Sequence, residues 1–119
     1  MGCSVSLNNS FPLNKQVIGD LRVIMGNDFS LLIQTFVKDS AVRLADLERA
    51  LSAGDADAFR RSAHSFKGSA GNLGAQTLMD LCRQLEILGA EDRLADAPTL
   101  MPHLRDAYVL AEQALLEMN

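Results

Sequence analysis

The sequence predicts an all-α fold: an up-and-down antiparallel four-helix bundle with a short extra helix at its N-terminus. Three observations lead there. Apolar residues recur at three- and four-residue steps in one segment after another. The breaks between these segments are short and carry glycine, which favours antiparallel neighbours. No stretch of two-residue alternation competes with the helical pattern. A chain of 119 residues is one domain by length, and with 48% hydrophobic residues it can bury a core. Without tryptophan and with a single tyrosine, aliphatic side chains must fill that core.

Each element has its own signal. Residues 1–10 are small and polar and are expected to form a flexible tail, leaving 11–119 as the folded domain. The opening Met1-Gly2-Cys3-Ser4-Val5-Ser6 fits a loose myristoylation pattern, but so short a pattern is met by chance and no function is placed there. A first amphipathic helix is expected over about 14–25, with Asn14 as its cap and Val17, Ile18, Leu21 and Ile24 on one side. Gly26 and Asn27 break it. A long helix over about 28–53 carries a stripe of Phe29, Ile33, Phe36, Ser40, Leu44, Leu47 and Leu51. Gly54 ends that helix, and Asp55 caps the next, over about 56–73, which Gly74 closes. A helix over about 75–88 follows, with Leu78, Leu81, Cys82 and Leu85 facing inward and Gly89 breaking it. The last is expected over about 98–118, with Leu100, Leu104, Ala107, Ala111 and Leu115 in register and Pro98 and Pro102 in its first turns.

Composition excludes several functions. A formal charge of −4 argues against non-specific nucleic-acid binding, which wants a basic face. No run approaches the about 18 apolar residues of a membrane span. Cys3 and Cys82 make neither a disulfide framework nor a metal-binding spacing, so a reduced, cytoplasmic setting is the simplest expectation. No Gly-rich nucleotide loop is present, and no carboxylate cluster resembles a dedicated metal site, so neither cofactor nor metal is expected. His103 reads as a partly exposed structural residue.

The most informative run is His64-Ser65-Phe66-Lys67-Gly68-Ser69-Ala70-Gly71. At about 100° per residue, Phe59, Ala63, Phe66, Ala70 and Leu73 cluster on one arc and must face the core, whereas His64 lies roughly 140° from Phe59. Arg60, Lys67, Gly68 and Gly71 fall within about 60° of His64, with Arg61 a little further round. Cations around an exposed histidine suit an anion, and lysine binds phosphate as a point charge. Neutral imidazole is abundant at pH 7 and attacks an electrophile without a general base. Two helix-interior glycines cost about 1 kcal/mol each relative to alanine, an expense that an ordinary solvated face does not need. A nucleophile, a neighbouring cation and a cleared approach together describe a covalent phosphoryl acceptor.

The run from Ala63 to Ala75 closely resembles the signature of histidine-containing phosphotransfer (HPt) domains. The resemblance extends to Phe29, Leu32, Ile33 and Phe36 before it and to Leu85-Glu86 after it. It implies a four-helix bundle whose exposed histidine takes a phosphoryl group from an aspartyl-phosphate receiver domain and gives it to another. On that resemblance His64 is the phosphoryl acceptor, Lys67 the phosphate-neighbouring cation and Gly68 the clearance residue. Arg60, Arg61 and Gly71 would meet the partner, and either Gln84 or Glu86 would supply a polar neighbour. The partners would be receiver domains of a hybrid sensor kinase or a response regulator, with magnesium supplied by the receiver. The carrier itself would be a cytoplasmic monomer that binds neither nucleic acid nor membrane and has no ATP-dependent kinase activity. The competing reading is a helical adaptor that binds a receiver or kinase without accepting phosphate. An intact nucleophile beside an intact lysine weighs against it.

Overall fold

The computed structural model describes residues 12–118; the expected tail over 1–10 lies outside them. Among the described residues five α-helices follow one another: α1 (Lys15–Met25), α2 (Phe29–Ala53), α3 (Ala56–Asn72), α4 (Gln76–Ala90) and α5 (Met101–Met118). Two short 3₁₀ segments, Gly26–Asp28 and Leu94–Thr99, join α1 to α2 and lead into α5. Helices α2 to α5 form the expected antiparallel bundle. Its core runs through Ile33, Leu47, Phe59, Phe66, Leu78, Leu85, Leu104 and Leu115, all fully or almost fully buried.

The helix ends are set by local chemistry. The Asn14 side chain accepts from the backbone N–H groups of Gln16 and Val17 at 3.0 and 3.1 Å, capping α1. Asp55 does the same for α3 through the Ala58 N–H at 3.0 Å. Gly54 and Gly74 take left-handed φ values of 70° and 68° at the ends of α2 and α3, which only glycine adopts without strain. The Gly74 carbonyl also accepts from the Asn14 N–H at 2.7 Å, which fastens α1 to the α3–α4 corner. At the other end of α1, Arg22 donates to the Met118 carbonyl and lies 5.4 Å from the centre of the Phe29 ring. The short helix is therefore tied across one end of the bundle.

Four expectations need correction. Gly89 does not break α4: the helix runs on to Ala90, and Gly89 is buried against α3, where a Cβ would come within 2.9 Å of the Arg60 backbone nitrogen. The glycine is there for close approach of two helices. Pro98 is not in the first turn of α5 but inside the preceding 3₁₀ segment, and α5 starts at Met101 with Pro102 next. A proline without an N–H fits either setting, and apolar spacing does not separate a 3₁₀ turn from the start of an α-helix. Ile24, expected on the inward side of α1, is 76% exposed, because α1 meets the core through Ile18, with Leu21 and Met25 packed beside it. Leu44 and Leu51 flank the α2 stripe and are only half-buried.

Candidate functional site

His64 stands midway along α3, with Phe66, Ala63 and Ala70 anchoring the opposite side of the helix in the core. Its side chain is 64% exposed. The ring is nevertheless held: Nδ1 lies 2.8 Å from Oε2 of Glu86, which reaches across from α4. The other oxygen of the same carboxylate, Oε1, pairs with the Lys67 ammonium at 2.7 Å. Of the two polar neighbours the sequence left open, Glu86 is the one at the histidine. Gln84 points round α4 into a groove lined also by His103 and Asp106.

The hydrogen bond to Glu86 selects the tautomer of the neutral ring. The Lys67 hydrogen bond holds the Glu86 carboxyl below the usual carboxylate range, with His64 adding to the effect and partial burial opposing it. An ionised carboxylate only accepts hydrogen bonds. Nδ1 must therefore carry the proton that Glu86 receives, and the lone pair of the neutral ring sits on Nε2. A nucleophilic nitrogen is thereby left free on the solvent side.

The glycines divide into two kinds. A Cβ on Gly68 would have nothing within 4 Å, so the space one turn beyond His64 is open. A Cβ on Gly71 would meet the Met79 sulfur at 3.0 Å, so Gly71 lets α4 pack close and also lies under a side chain. Gly71, Lys67, His64 and Arg60 form a row along the border with α4: Met79 lies against Gly71, Glu86 bonds to Lys67 and His64, and Gly89 packs against Arg60.

The basic residues are less free than their number suggests. Arg60 and Arg61 both pair with Asp57, at 2.9 and 3.1 Å. Asp57 is held below its ordinary range by the Arg60 hydrogen bond first and the charge of Arg61 second. Lys67 shares Glu86 with the histidine. The face around His64 is thus an ordered set of compensated charges. On the opposite flank of α3, Leu32, Phe36, Asp39, Ser69, Asn72 and Leu73 line a cleft of about 130 Å³ against α2. Cys82 is fully buried one turn from Glu86, and burial pushes its thiol up to about 12, so it behaves as a small apolar residue.

A bundle presenting one buttressed, exposed histidine is the architecture of a phosphohistidine carrier, and comparison with known proteins agrees. The family model of the Hpt domain matches residues 31–114. The chain is similar to the crystal structure of histidine-containing phosphotransfer protein B (HptB) from Pseudomonas aeruginosa PAO1, with a TM-score of 0.87 and 36% identity, covering 90% of this chain and 93% of that one. It also matches the fold of the histidine-containing phosphotransfer protein ZmHP2 from maize, with a TM-score of 0.78, 19% identity and full coverage of both chains. No curated protein sequence gives a significant match. The chain belongs to the Hpt family. It is a phosphotransfer protein of two-component phosphorelay signalling.

Proposed function

We propose that the protein accepts a phosphoryl group on Nε2 of His64 from the phospho-aspartate of one receiver domain and passes it to the aspartate of another. The observation that carries this reading is the Glu86–His64 hydrogen bond of 2.8 Å on a ring that is 64% exposed. It leaves the Nε2 lone pair directed to solvent, where a partner's phosphoryl group arrives. In the transfer, that lone pair forms the N–P bond while the acyl P–O bond breaks, and the electron pair leaves with the receiver carboxylate. The receiver brings magnesium and its own acidic residues to the transferring group. Lys67 offers a cation to the phosphoryl oxygens, and the open space at Gly68 admits the receiver. Arg60, Arg61 and Gly71 border the same approach. The protein acts as a monomeric cytoplasmic carrier, without a cofactor or ATP-dependent kinase activity of its own.

A transfer assay tests the proposal. Incubated with a panel of phosphorylated receiver domains, the wild-type protein should gain an acid-labile, base-stable phosphoryl group. His64→Ala should gain none while keeping its helical content, because the side chain is exposed. Undiminished labelling of His64→Ala would place the acceptor elsewhere.

A further inference from the structure

We propose that Glu86 is a positioning residue for the loaded state: its carboxylate retains the proton on Nδ1 of phosphorylated His64 and so keeps the phosphoryl group able to leave. The inference rests on the relay function above and deepens its site. When Nε2 takes the phosphoryl group, its lone pair becomes the N–P bond and Nδ1 keeps its hydrogen, so the ring is an imidazolium. In onward transfer the N–P electrons return to Nε2, phosphorus bonds to a carboxylate oxygen of the next receiver, and the ring departs as neutral imidazole. Had Nδ1 lost its proton first, the leaving group would be imidazolate, a far stronger base and a poorer leaving group. Retention of one proton therefore separates a transferable phosphoryl group from a stranded one.

Glu86 is built to retain it. Oε2 lies 2.8 Å from Nδ1, and a carboxylate at that distance supplies a hydrogen bond and a full opposing charge. A side-chain amide could supply only the first. In the unloaded protein Lys67, 2.7 Å from Oε1, offsets much of that charge. A phosphoryl dianion on the same ring competes for the lysine's three donors. Each donor drawn to phosphate leaves more of the Glu86 charge facing Nδ1–H, so loading the site strengthens its hold on the proton.

The other charges nearby do not duplicate this role. On α3, Arg60 and Arg61 are occupied with Asp57. On α4, Arg83 one turn before Glu86 pairs with Asp80. The α2 charges bordering α3, Asp39, Asp46 and Arg49, line clefts on its other flank beside Ser69 and Ser62.

The test needs no partner. The full-length protein, labelled with ¹⁵N-histidine, is phosphorylated with phosphoramidate as wild type, Glu86→Gln and Lys67→Met. The ¹⁵N shifts then give the ratio of Nδ1-protonated to unprotonated phospho-His64 at a fixed, mildly alkaline pH. Glu86→Gln should lower that ratio about tenfold, and spontaneous hydrolysis of the N–P bond should slow by about the same factor. In acid, where both rings are protonated, the two hydrolysis rates should converge. Lys67→Met should raise the ratio, whereas mere loosening of the site would lower it in both variants. Equal ratios in wild type and Glu86→Gln, both labelled on His64, would overturn the role of Glu86 and leave the relay function standing. Failure of wild type to label on His64 with phosphoramidate and with phosphorylated receiver domains alike would overturn both.

Discussion

The carboxyl of Glu86, kept below its ordinary range by Lys67 first and His64 second, gives the site a definite dependence on pH. Its value in the folded chain lies below that of the unfolded chain, near 4.5. The stabilisation from these contacts is therefore fully present above about pH 4.5 and disappears as pH falls through the lowered value. In urea titrations, wild type should be more stable than Glu86→Gln at pH 7, and the gap should narrow as pH falls below about 4.5. A gap that persists in acid would mean that packing, and not charge, separates the two proteins. A second residue-scale expectation concerns Ser40, which is fully buried on α2 with its hydroxyl oxygen unpartnered. Replacing it by alanine removes an unsatisfied polar group, so Ser40→Ala should raise the unfolding free energy by about 1 kcal/mol without changing the urea m-value. At this scale the placement of His64, Lys67 and Gly68 on one outward face was legible in the sequence, because they lie within about one helical turn, where local geometry fixes their relation. Glu86 was not singled out from Gln84, because the rotation of α4 against α3 is decided by packing between helices. The close approach at Gly89 and the cover of Met79 over Gly71 set that rotation.

At the scale of elements, glycines on neighbouring helices do opposite things. At Gly68 an added Cβ meets nothing, so Gly68→Ala should stabilise the protein by up to about 1 kcal/mol through helix propensity alone. At Gly89 the same atom would come within 2.9 Å of both the Cβ and the backbone nitrogen of Arg60 and 3.0 Å of the Ala56 carbonyl. Two of these three are backbone atoms, so the helices must separate. Gly89→Ala should destabilise by about 1–3 kcal/mol despite the better propensity. Thermal melts of the pair should move in opposite directions; a parallel shift would refute the assignment of Gly89 to the α3–α4 contact. The sequence marked Gly89 as a helix end because a glycine after an apolar run signals a C-cap and a close helix crossing equally well. Asn14, Gly54, Asp55 and Gly74 were read correctly because a cap is a local device whose partners lie within three residues. The start of α5 was not, since Pro98 and Pro102 suit both a 3₁₀ turn and a first helical turn.

For the whole molecule, the bundle was legible because five apolar stripes joined by short turns leave few other arrangements. The balance of surface charge was not. The cations around His64 in the sequence suggested a basic face, yet Asp57 neutralises part of the Arg60 and Arg61 charge and Glu86 meets Lys67. Asp57→Asn should free both arginines and speed association with an acidic receiver about two- to fivefold at low ionic strength, with the gain vanishing in 0.5–1 M salt. Stopped-flow association at two salt concentrations reads this directly, and a gain independent of salt would argue for a change of shape instead. In the proposed relay, His64 carries phosphate on the nitrogen that Glu86 leaves free. The most direct test is a ³¹P–¹⁵N correlation spectrum of the ¹⁵N-histidine-labelled protein after transfer from a phosphorylated receiver. A single phosphorus coupled to Nε2 of His64 is expected, with Nδ1 still protonated. Phosphorus on Nδ1, on His103 or on an oxygen would contradict it.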